Sequence, residues 1–347
     1  MIAYRWDLDK TYLSTEFDTF RDLIRTAFEP ADQKKTIPGA ARLIRELRAT
    51  DPVGIFILSG TPEQMRKVIE RKLTLDGVQW DSLTLKPSLR NILKGRFYFV
   101  RDQVGYKLGA LIESRLQLAA QVDEIMFGDD AETDALIYSI YSDLCAGRVH
   151  LDMVQQVLAH ARVHPSEISR IVDLAKALPS HDVGRRIFIH LDRMTEPSAF
   201  LPFGRRVCPF YNYFQPAVAL VEDGLLSAHA ALQVASDLLE QHGFGVRELR
   251  ASFVDMVRRE QVGRASAKRL VAARHEVDET TFPHSWPVLQ TLLDELSLAL
   301  DGIAELEPLQ ALPIDYISTF QRDLDRVHLA KQKAIERLRA MRLQQKK

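Results

Sequence analysis

The first 150 residues alternate short apolar runs with amphipathic stretches. Residues 2–6 run straight into an acidic turn. Residues 53–58 (Val-Gly-Ile-Phe-Ile-Leu) form a nearly unbroken apolar run, as a strand buried on both faces of a parallel sheet requires. Residues 82–85, ended by Lys86 and Pro87, and residues 124–127 read the same way. Between them the apolar period lengthens to that of a helix. Residues 40–48 follow Pro38-Gly39, residues 62–73 carry Met65, Val68 and Ile69 on one face, and residues 107–119 place Leu108, Leu111, Ile112 and Leu116 at helical spacing. Strands separated by helices predict a doubly wound α/β fold, a parallel sheet with helices on both faces. In such sheets ligands gather at the C-terminal ends of the strands.

From about residue 151 the strand pattern fades. Residues 151–161, 167–178, 216–240, 246–260 and 286–300 read as helices, and 314–347 as one long terminal helix. No fixed-period repeat supports a solenoid. The expected organisation is an α/β domain over 1–150 followed by an all-α domain over 151–347.

Composition narrows the classes. The chain has 347 residues, 46% apolar and 27% charged, with 46 Lys plus Arg against 47 Asp plus Glu. That balance gives no general attraction to nucleic acid or to an anionic bilayer. Two cysteines, Cys145 and Cys208, cannot build a disulfide framework and suit a reducing compartment. The amino-terminal residues lack the layout of a signal peptide, and the best apolar stretch, 216–226, is broken by Glu222 and Asp223. A cytoplasmic location is expected, with peripheral membrane association open and no transmembrane segment.

Four polar clusters sit at strand ends or helix starts. Asp7-Leu-Asp9-Lys-Thr11 follows the first strand; two carboxylates spaced i, i+2 can face one crevice, where a hard cation such as Mg²⁺ would relieve their repulsion. The same spacing also makes ordinary Asx-turns. Ser59-Gly60-Thr61-Pro62 follows the second strand and offers a hydroxyl and backbone N–H groups to a phosphate, or a helix cap with Thr61 at the N-cap. Lys107 stands at the expected start of a helix, where a lysine is unfavourable unless an anion faces it, or simply solvated. Gly128-Asp129-Asp130-Ala-Glu-Thr-Asp134 is a second oxygen-rich cluster, either a cation clamp or an acidic first turn of a helix.

The order of these four clusters over residues 1–145 resembles the haloacid dehalogenase-like phosphohydrolases. Ser59, Thr61-Pro62 and the Gly128-Asp129 to Asp134 and Ile137-Tyr138 spacing are similar to the catalytic domain of the actin-patch phosphatidate phosphatases, relatives of the lipins. Lys10, Glu63 and Asp130 depart from that pattern: an acid, an aromatic and a Ser are common there. The resemblance implies a Mg²⁺-dependent phosphohydrolase working through an aspartyl-phosphate. Asp7 would be the nucleophile and Asp9 the acid and base. Lys107, Ser59 and Gly60 would cradle the phosphoryl group, with Thr11 bracing the first turn. The cation would be held by Asp7, Asp9 and Asp129, with Asp130 or Asp134 as helper. Phosphatidate or a related phosphorylated lipid is the implied substrate. The alternative is a catalytically silent phosphate- or partner-binding module that uses the helical half as its interaction surface; such a module has no need of Asp9.

Residues 12–37 and 62–106 leave no room for a full cap domain, so an open site is expected. The aromatic stretch 200–214 reads as a packed loop, or as a lid bringing Arg205 or Arg206 to a phosphorylated headgroup. His160 and His164 read as surface histidines, and Gly243-Phe-Gly245 as a helix C-cap. Residues 322–347 hold nine Lys or Arg against three acids along a thin apolar seam, suited to a docked helix, a partner helix or an anionic bilayer.

Overall fold

The computed structural model describes residues 1–14, 30–86 and 99–344, without the side chains of 99–102, 330, 331 and 333–344. The stretches expected to be too short for a cap therefore fall partly outside the described residues, and the apolar side chains Ala334, Leu338 and Met341 of the 322–347 seam are among those not described.

Six strands form one sheet: β1 (Ile2–Asp7), β2 (Gly54–Pro62), β3 (Ser82–Lys86), β4 (Asp123–Asp129), β5 (Gly184–His190) and β6 (Val207–Phe210). Their order is β3-β2-β1-β4-β5-β6, every neighbouring pair parallel. The chain builds outward from β1 to β3, then returns to lay β4 on the other side of β1. The loops after β1 and β4 thus leave in opposite directions and open a crevice between them, the switch point where ligands bind in this topology.

Alternation along the strands sends neighbouring side chains to opposite faces. Ile125, Phe127, Phe188 and Cys208 join the core on one face with α1 (Ala40–Arg48), α2 (Arg66–Leu75), α7 (Phe214–Glu222), α8 (Ala228–His242), α9 (Val246–Arg258), α10 (Arg264–Ala273) and α11 (Trp286–Ala299). Met126, Ile187, Ile189 and Val207 face α3 (Phe99–Arg115), α4 (Asp134–Cys145), α5 (Leu151–His160), α6 (Pro165–Ala175) and the head of α12 (Tyr316–Gln344). The predicted doubly wound sheet with a helical region is what the chain forms.

Two strands correct the expectation of an all-α stretch from residue 151. β5 escapes the apolar pattern because Arg185 and Arg186 open it, leaving a three-residue apolar run; buried Arg186 is neutralised by Asp223 at 2.7 Å and donates a hydrogen bond to Gln261 Oε1 at 2.6 Å. β6 holds Pro209, and at the sheet edge the missing N–H breaks no ladder. Residues 216–240, expected as one helix, are split at Gly224, whose φ of 72° ends α7, and Ser227 caps α8 by accepting the Ala230 N–H. Gly243 is the left-handed C-cap of α8, as expected, and His160 and His164 are exposed, the latter capping α6.

Candidate active site

β1 and β4 carry the site. Trp6 and Phe127 lie opposite each other in the register and stack at 3.8 Å, which holds the two strand ends together just before the polar residues begin. Asp7 ends β1 and Asp129 ends β4. The turn after β1 is pinned from the far side of the sheet: the Thr11 carbonyl accepts the Tyr213 hydroxyl, and the Lys10 carbonyl lies 2.6 Å from His190 Nδ1. Lys10 has a φ of 59°, a left-handed backbone that lets the chain double back at once.

Lys107 lies at the centre of the cluster. It stands midway along α3, where the sequence reading put a helix start, and it is fully buried. Its ammonium lies 3.0 Å from Asp7 Oδ1, 2.8 Å from Glu132 Oε2 and 2.6 Å from Asp134 Oδ1. Asp134 opens α4 and its other oxygen accepts the Asp129 N–H at 3.3 Å. Gly128 makes that approach possible: a Cβ there would fall 2.5 Å from Asp134 Oδ2. Thr11 donates to Asp7 Oδ2 at 3.3 Å.

Asp9 is held separately. Its Oδ2 accepts the Ser59 hydroxyl at 3.0 Å and the Thr61 hydroxyl at 2.5 Å. Thr61 is therefore a site residue and not the expected helix cap; β2 runs on to Pro62 and α2 begins at Arg66. Gly60 sits against the Gln103 amide, and Gln103 Nε2 donates to Glu132 Oε1 at 2.8 Å.

Burial raises Asp7 well above the usual carboxylate range; Lys107 opposes the shift, and Asp134, Glu132 and Asp9 add to it. Burial likewise lifts Asp9, against the hydrogen bonds from Thr61 and Ser59. Asp129 is held well above its ordinary value by burial and by Asp134 and Glu132, and Asp134 is pushed up to about 6, burial outweighing Lys107. Burial opposes the charge on Lys107, but Asp134, Asp7 and Glu132 together outweigh it and keep the group cationic. Five carboxyl groups thus converge on a cluster in which Lys107 answers three.

That excess of acid fits a cation. Asp7, Glu132 and Asp134 bring carboxylate oxygens within 4.8 Å of one another, a spacing that could hold a metal ion. Asp129 offers a further donor: Oδ1 takes the N–H groups of Ala131 and Glu132, while buried Oδ2 has no hydrogen-bond partner. Oxygen donors alone suit a hard divalent ion.

Asp130 does not belong to this cluster. Both its oxygens are taken by backbone N–H groups of the loop after β5, Arg193 at 2.8 Å and Thr195 at 3.0 Å. The expected helper role is corrected accordingly: Asp130 ties the β4 and β5 loops together. Arg206 is also remote. It precedes β6 at the opposite edge of the sheet and pairs with Asp143 at 2.8 Å, while Arg205 donates to the Glu260 carbonyl. Neither reaches the crevice.

Four contributors escape sequence reasoning: Thr61, Gln103, Glu132 and Arg326. Arg326 comes from the terminal helix, donates to the Asp130 and Glu132 carbonyls, the latter at 2.8 Å, and lies over Phe200. Thr61 carried a signal as part of the hydroxyl turn after the second strand and Glu132 as an acid of its cluster, while Gln103 and Arg326 carried none.

No curated protein and no solved structure matches the chain. Residues 6–155 match the family described as phosphatidate phosphatase APP1, catalytic domain, a span that runs from Trp6 to α5 and contains the whole cluster except Arg326. Over residues 6–155, less than half of the 347-residue chain, the protein is similar to the catalytic domain of that phosphatase family.

Proposed function

We propose that the protein is a Mg²⁺-dependent phosphomonoester hydrolase that works through an aspartyl-phosphate on Asp7, with phosphatidate or a related phosphorylated lipid as substrate. The observation that carries this reading is the pairing of a buried carboxylate, Asp7, against Lys107 with a second carboxyl, Asp9, held apart on two hydroxyls. The family match over residues 6–155 supports the substrate class.

Asp7 and Asp129, with the Asp9 carbonyl and Asp134 in support, would hold Mg²⁺, which when bound neutralises charge on the phosphoryl oxygens. Asp7 Oδ attacks phosphorus in line as the bond to the leaving alcohol breaks. Asp9, whose carboxyl burial pushes above its ordinary value, would give its proton to the leaving oxygen, so that no alkoxide is released. It then takes a proton from the water that cleaves the acyl phosphate, which returns Asp7 and frees phosphate. Lys107, Ser59 and the Gly60 N–H bind the equatorial oxygens, while Thr11 orients Asp7. Splitting one displacement into two lowers a barrier that is among the highest in biology, with enhancements reaching roughly 10²¹-fold. Such a lipid substrate would be met at a membrane surface; no helix among the described residues is long and apolar enough to cross a bilayer.

The test is phosphate release from vesicle-borne phosphatidate beside soluble phosphoesters, with Mg²⁺ or EDTA, for wild type and Asp7→Asn. Release that needs Mg²⁺, prefers the vesicle and vanishes in Asp7→Asn is expected. Phosphate binding without any turnover would instead favour the silent binding module.

A further inference from the structure

Three carboxylates crowd the Lys107 ammonium: Asp134 accepts its hydrogen bond at 2.6 Å, while Asp7 at 3.0 Å and Glu132 at 2.8 Å pair with it by charge. A phosphoryl group that binds this lysine, as the reading above requires, must therefore displace one of them. The three are not equally free to leave. Asp134 is fully buried, its second oxygen takes the Asp129 N–H, and Gly128 lies directly against it. Asp7 is the attacking group and is oriented by Thr11. Glu132 is different: its side chain is 17% exposed against 2% for Asp7 and none for Asp134. It reaches Lys107 from the mouth of the crevice, on the turn between β4 and α4.

Glu132 is also placed where a phosphoryl group would lie. One oxygen faces Lys107, and the other accepts Gln103 Nε2 at 2.8 Å. That amide in turn covers Gly60, where a Cβ would fall 2.5 Å from Nε2 and 2.7 Å from Oε1. Gln103 is buried, and its Oε1 has no partner. The Glu132 carboxylate thus spans the lysine and a side chain resting on the Ser59-Gly60-Thr61 turn, the two elements that would hold phosphoryl oxygens.

We propose that Glu132 is a displaceable carboxylate seated in the phosphoryl subsite, one that a substrate phosphate must expel from Lys107. The consequence is selectivity. A small phosphate pays for expelling the carboxylate out of the same few contacts, whereas a large substrate brings binding energy from its remaining parts. Glu132 therefore weakens free phosphate and small phosphoesters while leaving the chemical step to Asp7 and Asp9.

The experiment rests on the phosphatase reading and separates the two. With the full chain in Mg²⁺, kcat and KM are measured for 4-nitrophenyl phosphate, together with inhibition by inorganic phosphate, for wild type, Glu132→Gln, Glu132→Asp and Gln103→Ala. Glu132→Gln keeps the shape and removes the charge, so KM and the phosphate inhibition constant should both fall about tenfold, since charge-assisted bonds are about twice as strong as neutral ones. kcat should change less than KM. Gln103→Ala, which frees Glu132 to swing away, should shift KM in the same direction by less, and Glu132→Asp, which keeps the charge but is one methylene short of spanning Lys107 and Gln103, should give a KM between those of wild type and Glu132→Gln. Melting curves on each variant identify any loss of folding.

Turnover in which Glu132→Gln leaves KM and phosphate inhibition unchanged or weaker overturns the gate and keeps the phosphatase. Loss of turnover in folded Glu132→Gln, rescued by excess Mg²⁺, also overturns it, because Glu132 is then a metal-holding residue. Should wild type turn over no phosphoester, calorimetry with inorganic phosphate decides. Tighter phosphate in Glu132→Gln supports the gate without the chemistry, and no binding to either protein overturns both.

Discussion

Arg326→Met should loosen the loop after β4 from a distance of almost two hundred residues. Arg326 donates to two loop carbonyls, those of Asp130 and Glu132, and also pairs with Asp323 at 2.8 Å. Asp323 is buried, its Oδ2 has no hydrogen-bond partner, and burial already raises it above the ordinary carboxylate range. Removing the guanidinium leaves that carboxyl uncompensated, a loss of about 3–5 kcal/mol for a buried pair broken on one side. Uptake of a proton by Asp323 would bring the cost toward the lower figure. Replacing both partners, Arg326→Met with Asp323→Leu, removes the stranded charge. The remaining loss is then the carbonyl bonds, about 1.5–3 kcal/mol each at most for charged donors and less where water replaces them. Urea unfolding of the two single variants and the double variant should therefore show the double variant more stable than Arg326→Met. Because Asp130 and Glu132 flank the Asp129 donor, half-saturating Mg²⁺ for turnover should also rise about tenfold, as for a lost outer-shell support of a metal site. An Arg326→Met cost below about 1 kcal/mol, or a double variant whose loss equals the sum of the singles, would refute the bracket.

Other outcomes follow from the same geometry. Lys107→Met strands the carboxylates of Asp7, Glu132 and Asp134, so turnover should drop at least ~10²-fold and the urea midpoint should fall, unless pH is lowered to protonate the acids. In EDTA the raised Asp134 destabilises the fold as pH climbs from its unfolded value near 3.8 to about 6. The folded state holds that proton more tightly, so its contribution is present at low pH and lost on the way up, at about 1.4 kcal/mol per pH unit. Wild type should therefore lose stability across this window relative to Asp134→Asn in paired thermal melts, and Mg²⁺ should flatten the difference. Gly128→Ala places a methyl 2.6 Å from Asp134 Cβ, a contact with no flexible end to give way. It should cost about 1–3 kcal/mol and lower kcat; a normal melting point with full activity would contradict the packing described here.

Asp7, Asp9, Ser59, Lys107, Asp129 and Asp134 were legible in the chain because each lies at the end of an apolar run or at helical spacing, and such patterns are local. The parallel sheet was legible for the same reason through β1 to β4. What escaped depends on pairings across distance. β5 and β6 are strands because β4 and the sheet edge accept them, in spite of a buried arginine and a proline that read against strand locally. Asp130 and Asp129 are adjacent and chemically identical, yet one turns to the β5 loop and the other into the crevice, since only the tertiary structure supplies the N–H groups of Arg193 and Thr195. Arg326 looked like one more cation on a basic tail and became a bracket because packing of α12 against α4 and α5 brought two loop carbonyls to it. Sequence determined which groups could do chemistry, through local period and spacing. Tertiary structure decided which of them meet, because a hydrogen bond has a length and a direction that only the packed chain sets.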